Sequence, residues 1–135
     1  MPSNSIVTAK DNTIRISTYK LKNIANLIVN LNVNKAVNQL KFSNKRISLS
    51  VLKVLNSAIA NAENNNQMDI DNLFVKEAFV GKSLTMKRFR PRAKGRASSI
   101  LKPFSKLTII LEERINKADN KKNKITNKVK KGNKK

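Results

Sequence analysis

The hydrophobic positions of this chain change period from helical to extended about halfway along. Residues 6–16 read as a short extended segment, with Ile14 and Ile16 flanking Arg15 in strand alternation. Ser17 fits a helix N-cap, because its hydroxyl can accept an orphan backbone N–H. Leu21, Ile24, Ala25 and Ile28 follow at spacings of three and four, which predicts a helix from Thr18 to Val29. The run 30–34 breaks the pattern, and Val33, Ala36, Val37 and Leu40 predict a second, short helix. Ile47, Val51, Val54, Leu55, Ala58, Ile59 and Ala62 form the clearest helical stripe. They predict a third helix from Lys45 to Glu63, mostly buried, capped by Ser43 or Asn44. Ala58, Ala60 and Ala62 allow a neighbour to approach closely, and Asn64, Asn65 and Asn66 supply terminating turn chemistry.

Beyond residue 72 the content turns β-like. Val75, Phe79, Val80, Leu84, Thr85 and Phe89 lie in one run, and residues 106–111 alternate as a strand. Between them stands KRFRPRAKGRASS, residues 87–99, where Pro91 and Gly95 mark a turn region. Two strands joined by one irregular tip make a hairpin. With about 15 residues per arm at roughly 3.3 Å each, it is on the order of 50 Å long, more than the helices can cover. After Arg114 the pattern collapses into Lys and Asn, so residues 115–135 read as a flexible basic tail. The 135 residues thus predict one domain, 1–114, with its hairpin at 73–112, followed by that tail.

Charge sharpens this picture. Lys plus Arg number 29 against 8 Asp plus Glu, a formal charge of +21 with no His. Self-repulsion at that density opposes compaction, so a polyanion must offset it. Residues 78–111 carry nine basic and no acidic residue, and 114–135 carry ten basic and one acidic. The remainder is nearly neutral. With no Cys and no His, thiolate and imidazole metal sites and Cys or His catalysis are excluded, as are disulfides. No apolar run approaches the roughly 20 residues of a membrane span. Met1 to Asp11 has neither a signal core nor a transit pattern. The hydrophobic fraction of 39% in periodic groups argues against disorder throughout. The 20 Asn, 22 Lys and 13 Ile against 7 Arg are the usage of an A/T-rich genome, bacterial or organellar.

The candidate chemistry lies in the hairpin: Lys82, Lys87, Arg88, Arg90, Arg92, Lys94, Arg96, Lys102 and Lys106. A run of charge is most often a solvated surface. Here a lone two-stranded ribbon is marginal in water, and Lys87 and Arg88, being adjacent, put cations on both faces. Four of the seven Arg fall between 88 and 96, against the general preference for Lys. Arg offers a planar fork that grips phosphate bidentately and stacks on bases. Phe89 either stacks on an exposed base or pins the two arms. Cations near the first helix start, Lys20 and Lys22, oppose the helix dipole. They are a solvated face, or phosphate neutralises them. Folded RNA, with crevices and unpaired bases, suits a basic finger better than duplex DNA does. The carboxylates form no convincing catalytic set, and Asp69 with Asp71 reads as a solvated loop rather than a Mg²⁺ pair.

Two stretches carry a resemblance. LNSAIANAENN, residues 55–65, is followed by Met68, Asp69 and Leu73, and MKRFRPRAKGRASSILKPFSKLTIILEE spans residues 86–113. In this order and spacing they resemble the bacterial-type large-ribosomal-subunit protein twenty-two family, over residues 12–114. The resemblance implies an α+β fold, with three helices packed on a small antiparallel three-stranded sheet and a long protruding β-hairpin. It implies a structural, non-enzymatic constituent of the large subunit that supports assembly and needs no cofactor. The implied partners are large-subunit rRNA, neighbouring ribosomal proteins and the nascent polypeptide, with the protein monomeric within the ribosome. The implied location is the ribosome of an A/T-rich bacterium's cytoplasm, or of a mitochondrion or plastid that encodes the protein. The expected rRNA contacts are Arg15, Lys20 and Lys22 with the nine hairpin cations. The expected tunnel-lining tip is Met86, Lys87, Arg88, Phe89, Arg90, Pro91, Arg92, Ala93, Lys94, Gly95 and Arg96. Departures from the family pattern are Asn30 and Leu31, where Arg-Gly is usual; Asn56, where a basic residue is common; and Lys106, where His is usual. A nucleoid-type DNA-binding architectural protein with a basic β-arm is the alternative, and an RNA-directed enzyme is a third, weaker reading.

Overall fold

The computed structural model describes residues 6–114. Strand β1 (Ile6–Ile14) leads into α1 (Thr18–Ile28), α2 (Val33–Lys41) and α3 (Ser48–Asn66). A single 3-10 turn, Ile70–Asn72, then opens the hairpin of β2 (Leu73–Pro91) and β3 (Ala97–Glu113). The sheet is antiparallel in the order β1-β3-β2, so β3 is central. The α+β expectation is met. The basic tail predicted at 115–135 lies outside the described residues.

Strand alternation assigns one sheet face to the core. Val7 and Ala9 of β1, Val75 of β2, and Leu107, Ile109 and Leu111 of β3 are buried together, in the registers Val7↔Leu111, Ala9↔Ile109 and Val75↔Leu111. Helix α1 adds Leu21, Ile24, Ala25 and Ile28, the stripe its sequence spacing predicts. Helix α3 adds Val51, Val54, Leu55, Ala58 and Ala62, while Ala60 faces solvent.

The helix ends show where local chemistry wins or loses. Ser17 stands at the N-cap of α1, but its side chain makes no capping bond. Asn32 caps α2, accepting from Asn34 N at 2.9 Å and donating through Nδ2 to Asp71 O at 2.8 Å. Helix α3 starts three residues later than predicted, and neither Ser43 nor Asn44 caps it. The Ser48 hydroxyl bonds back to the carbonyls of Lys45 and Ser43, which holds 43–47 in a turn. At its other end the helix passes through Asn64, Asn65 and Asn66. Burial of Ala62 and Met68 outweighs the weak helix propensity of Asn. Gln67 stops the helix instead, in the left-handed region at φ 51. Asp69 and Asp71 are used locally: Asp69 accepts from Asp71 N and Asn72 Nδ2, and Asp71 accepts from Asn34 Nδ2.

Residues 30–32 seal the outer edge of β2. Asn30 takes φ 63, a conformation Asn tolerates better than most residues. Its N–H donates to Val75 O at 2.8 Å, and Val75 N donates to Leu31 O at 2.9 Å. These backbone bonds tie the α1–α2 connection to β2.

At the far end of β3, Glu112 is nearly buried on the outer sheet face, its side chain 7% exposed. Arg114 Nε donates to its Oε1, and Lys76 Nζ lies 3.5 Å from Oε2. Arg114 also stacks over Phe74, 5.2 Å from the ring centre. The hydrogen bond from Arg114, more than the burial that opposes it, holds the Glu112 carboxyl below the usual 4.5. A depressed folded-state pKa gives stability that is full above the unfolded value and lost as pH falls through the folded one. Wild type should therefore lose stability below about pH 4.5 more steeply than Glu112→Gln, read as urea midpoints between pH 7 and 3. Parallel curves for the two proteins would contradict this.

The core stops well short of the hairpin tip. No residue from Lys76 to Phe104 is buried. Leu55→Ala or Ile109→Ala should cost about 2–5 kcal/mol in urea unfolding, and Phe89→Ala less than about 0.5 kcal/mol. A large loss from Phe89→Ala would mean that the finger packs on the body.

Candidate nucleic-acid interface

Ser105 marks the border between body and finger. It is fully buried, and its hydroxyl donates to Ile16 O at 2.7 Å, tying β3 to the β1–α1 turn. Its partner Lys82 sits at a register shift between Lys82 and Thr85, after which the two arms run on alone. The arms are longer than predicted, 19 and 17 residues, giving a hairpin of about 60 Å.

The turn is correspondingly tighter. Residues 87–99 were expected to be irregular, yet pairing continues through Arg88↔Ile100 and Arg90↔Ser98 to Pro91↔Ala97. Only 92–96 form the turn. Arg92 N donates to Arg96 O at 2.8 Å across it, and Lys94 and Gly95 adopt φ 60 and φ 69. An added Cβ at Gly95 would meet nothing within 4 Å, so conformation rather than space favours glycine there. Pro91 is tolerated because it is the last paired residue of its strand.

Register sorts the finger's side chains onto two faces. Met86, Arg88 and Arg90 share one face with Lys102, Ile100 and Ser98. Lys87, Phe89 and Pro91 share the other with Leu101, Ser99 and Ala97. The expected cations on both faces are therefore present. Phe89 is 79% exposed and Leu101 59%, so Phe89 does not pin the arms and its ring is free to stack. Arg88 donates to Lys87 O at 2.8 Å, and Arg92 Nε to Ser98 Oγ at 3.4 Å; these local bonds spread the guanidinium groups along the ribbon.

All twelve cations expected to meet rRNA are exposed. Among the described residues both ion pairs involve Glu112, so none of the twelve has a carboxylate partner. They fall into three groups. Lys87, Arg88, Arg90, Arg92, Lys94 and Arg96 occupy the distal finger. Lys82 and Lys106 lie near its root, where the Lys106 stem crosses the flat backbone of Gly81. Arg15, Lys20 and Lys102 converge on one cavity beside that root. Lys22 is exposed on α1, outside that cavity. Sequence reasoning missed Lys45 and Arg46, which line adjoining space. The available signal was a basic pair directly before a helix, obscured by placing both inside α3.

An extended ribbon with exposed cations on both faces, carried on a small mixed domain, is the surface of a protein that binds a polyanion such as nucleic acid. Comparison with known proteins makes this specific. Residues 9–112 match the family model described as "Ribosomal protein L22p/L17e". The chain belongs to that family. It is 57% identical over 107 residues to the large ribosomal subunit protein uL22 of Pelagibacter ubique, covering 79% of this chain and 81% of that one. It is 58% identical to the same-named protein of Phenylobacterium zucineum, over 78% of this chain and 83% of that one. Identity to the Maricaulis maris protein is 59%, with the same coverage of each.

The tight tip predicts a mutational asymmetry. Gly95→Val should destabilise the turn by about 1 kcal/mol or more, through left-handed strain. Lys94→Gly should be neutral or stabilising at the turn. Tip-localised backbone chemical shifts in the full chain report both, and equal disturbance by the two variants would contradict the assignment.

Proposed function

We propose that this chain is a structural, non-catalytic constituent of the large ribosomal subunit, binding rRNA chiefly through its finger. One observation carries the reading: a ribbon without core support or anionic partner bears exposed cations on both faces. Its neutralisation has to come from outside, and from more than one side at once. Folded RNA provides phosphates in that arrangement. Arginine forks grip them, RNA segments can then approach each other, and the ladder, ordered by those contacts, sets their separation.

The finer parts of the reading follow from family membership joined to this geometry. The tip, residues 86–96, lines the nascent-peptide tunnel, with the growing chain passing it. The body contacts neighbouring ribosomal proteins, and the protein acts as a monomer that aids subunit assembly. Its Asn-, Lys- and Ile-rich usage fits an A/T-rich genome, bacterial or organellar. Family membership gives no support to the nucleoid-type alternative.

Nine phosphate contacts from the hairpin predict a slope of log K against log salt of roughly −6 to −8 on large-subunit rRNA. Arg88→Ala/Arg90→Ala/Arg92→Ala should leave the body folded, flatten that slope by about 2–3, and block incorporation into subunits. A slope near zero for wild type, or normal incorporation of the triple variant in subunit profiles, would refute the reading.

A further inference from the structure

We propose that the β-bulge at Ser83 and Leu84 phases the finger: it turns an arginine face and an apolar face toward opposite sides of the molecule, and binding requires that order. The proposal rests on the rRNA-binding function above, which by itself fixes neither the bulge nor the order of the faces.

The two arms span one ladder, from Leu73↔Glu113 to Pro91↔Ala97, with 19 residues in β2 and 17 in β3. The surplus sits in two bulges, both on β2. Lys76 is the extra residue of the first, between Val75 and Glu77. At the second, Ser83 and Leu84 together stand opposite Phe104 alone. Strand β3 carries no bulge in this ladder, so its odd positions from Leu111 to Ala97 all keep to the helix side. On β2 each bulge exchanges odd for even. Leu73 and Val75 face the helices, then Ala78 and Val80, and beyond the second bulge Thr85, Lys87, Phe89 and Pro91. Had alternation run on unbroken from Val80, Arg88 and Arg90 would lie on the helix side and Phe89 opposite them.

The core gives no reason for this second bulge. Leu84 is 61% exposed, and Ser83 and Thr85 are only half-buried. Thr85 Oγ1 is shut off from solvent with no hydrogen-bond partner among the described residues, so the local structure carries a cost there. What the bulge changes is the make-up of the faces. With it, Arg88, Arg90 and Lys102 gather on the outer side of the distal ribbon, and no acid stands among them. The helix side keeps Phe89, Pro91, Leu101 and Ala97, with Lys87 as the one cation of its paired residues. Without it, two cations would fall on each face, and both faces would mix guanidinium or ammonium groups with apolar surface. Three aligned cations suit phosphates, whereas Phe89 and Leu101, both exposed, suit surroundings poor in phosphate. The bulge thus converts a sequence of mixed residues into a two-sided ribbon, with each side aimed relative to the body.

The test uses the full chain and transcribed large-subunit rRNA, with affinity read across a salt series and thermal melts to check that each body is folded. Three variants keep the net charge of wild type. Deletion of Ser83 heals the bulge and leaves every distal pair and face as it was. Insertion of one Ser between Pro103 and Phe104 heals it from the other arm, and turns the distal ribbon by half a turn relative to the body with its own pairs intact. Arg88→Phe/Phe89→Arg exchanges two side chains across the faces with no change of register. The deletion should bind as wild type does, with the same slope. The insertion should lose three phosphate contacts without losing a charge, flattening the slope by about 2–3 and weakening binding at least about tenfold near 0.15 M salt. The exchange should flatten the slope by about 1. Wild-type slope and affinity in the insertion or the exchange variant would overturn the proposal, because the faces would then be interchangeable. A loss in the deletion as large as that in the insertion would also overturn it, since the bulge would then act through the bend it gives the ribbon. Absence of salt-dependent binding by wild type would instead overturn the underlying function.

Discussion

The antiparallel ladder between β2 and β3 is shared by two environments, and the rest of the molecule follows from that sharing. Near its root, Val75, Leu107, Ile109 and Leu111 anchor it in the core. Beyond Ser105 the same ladder continues with no buried side chain to hold it. An isolated two-stranded ribbon is marginal in water, so the distal arms take their direction from the body and need their lasting order from a partner. Helix α3, the sealed edge at residues 30–32 and the Glu112–Arg114–Lys76 cluster all serve to hold the root.

Charge is distributed to match this division. Three acids of the body are used internally, Glu112 for its ion pairs and Asp69 and Asp71 in the turn before β2. The finger has cations on both faces and no acid between residues 78 and 111. Arg15, Lys20, Lys45, Arg46 and Lys102 extend the cationic surface to the junction. The protein thus presents basic groups from tip to root, and a small apolar core holds the root in place.

Much of this was legible in the residues, for physical reasons. The 3.6-residue stripes of α1 and α3 face the core, so burial wrote their period into the chain. The alternation of 106–111 records a sheet with one face covered. The finger was legible as charge without acid. Helix ends were not: the start of α3 depends on Ser48 hydroxyl geometry, and its end on burial of Met68, neither of which is a local preference. The tip was misjudged because Pro and Gly mark turns, while pairing up to Pro91↔Ala97 depends on ladder register. The cavities beside the finger's root join four chain segments, so no single stretch of sequence reveals them.

Backbone amide hydrogen exchange, compared between the free full chain and the assembled subunit, tests the central claim most directly. In the free protein, amides of 107–111 and α3 should exchange only with global unfolding, while paired amides of 85–101 exchange far faster through local opening. In the subunit the latter should become strongly protected. Equal protection of finger and body in the free chain would contradict the account, because the finger would then be ordered without RNA.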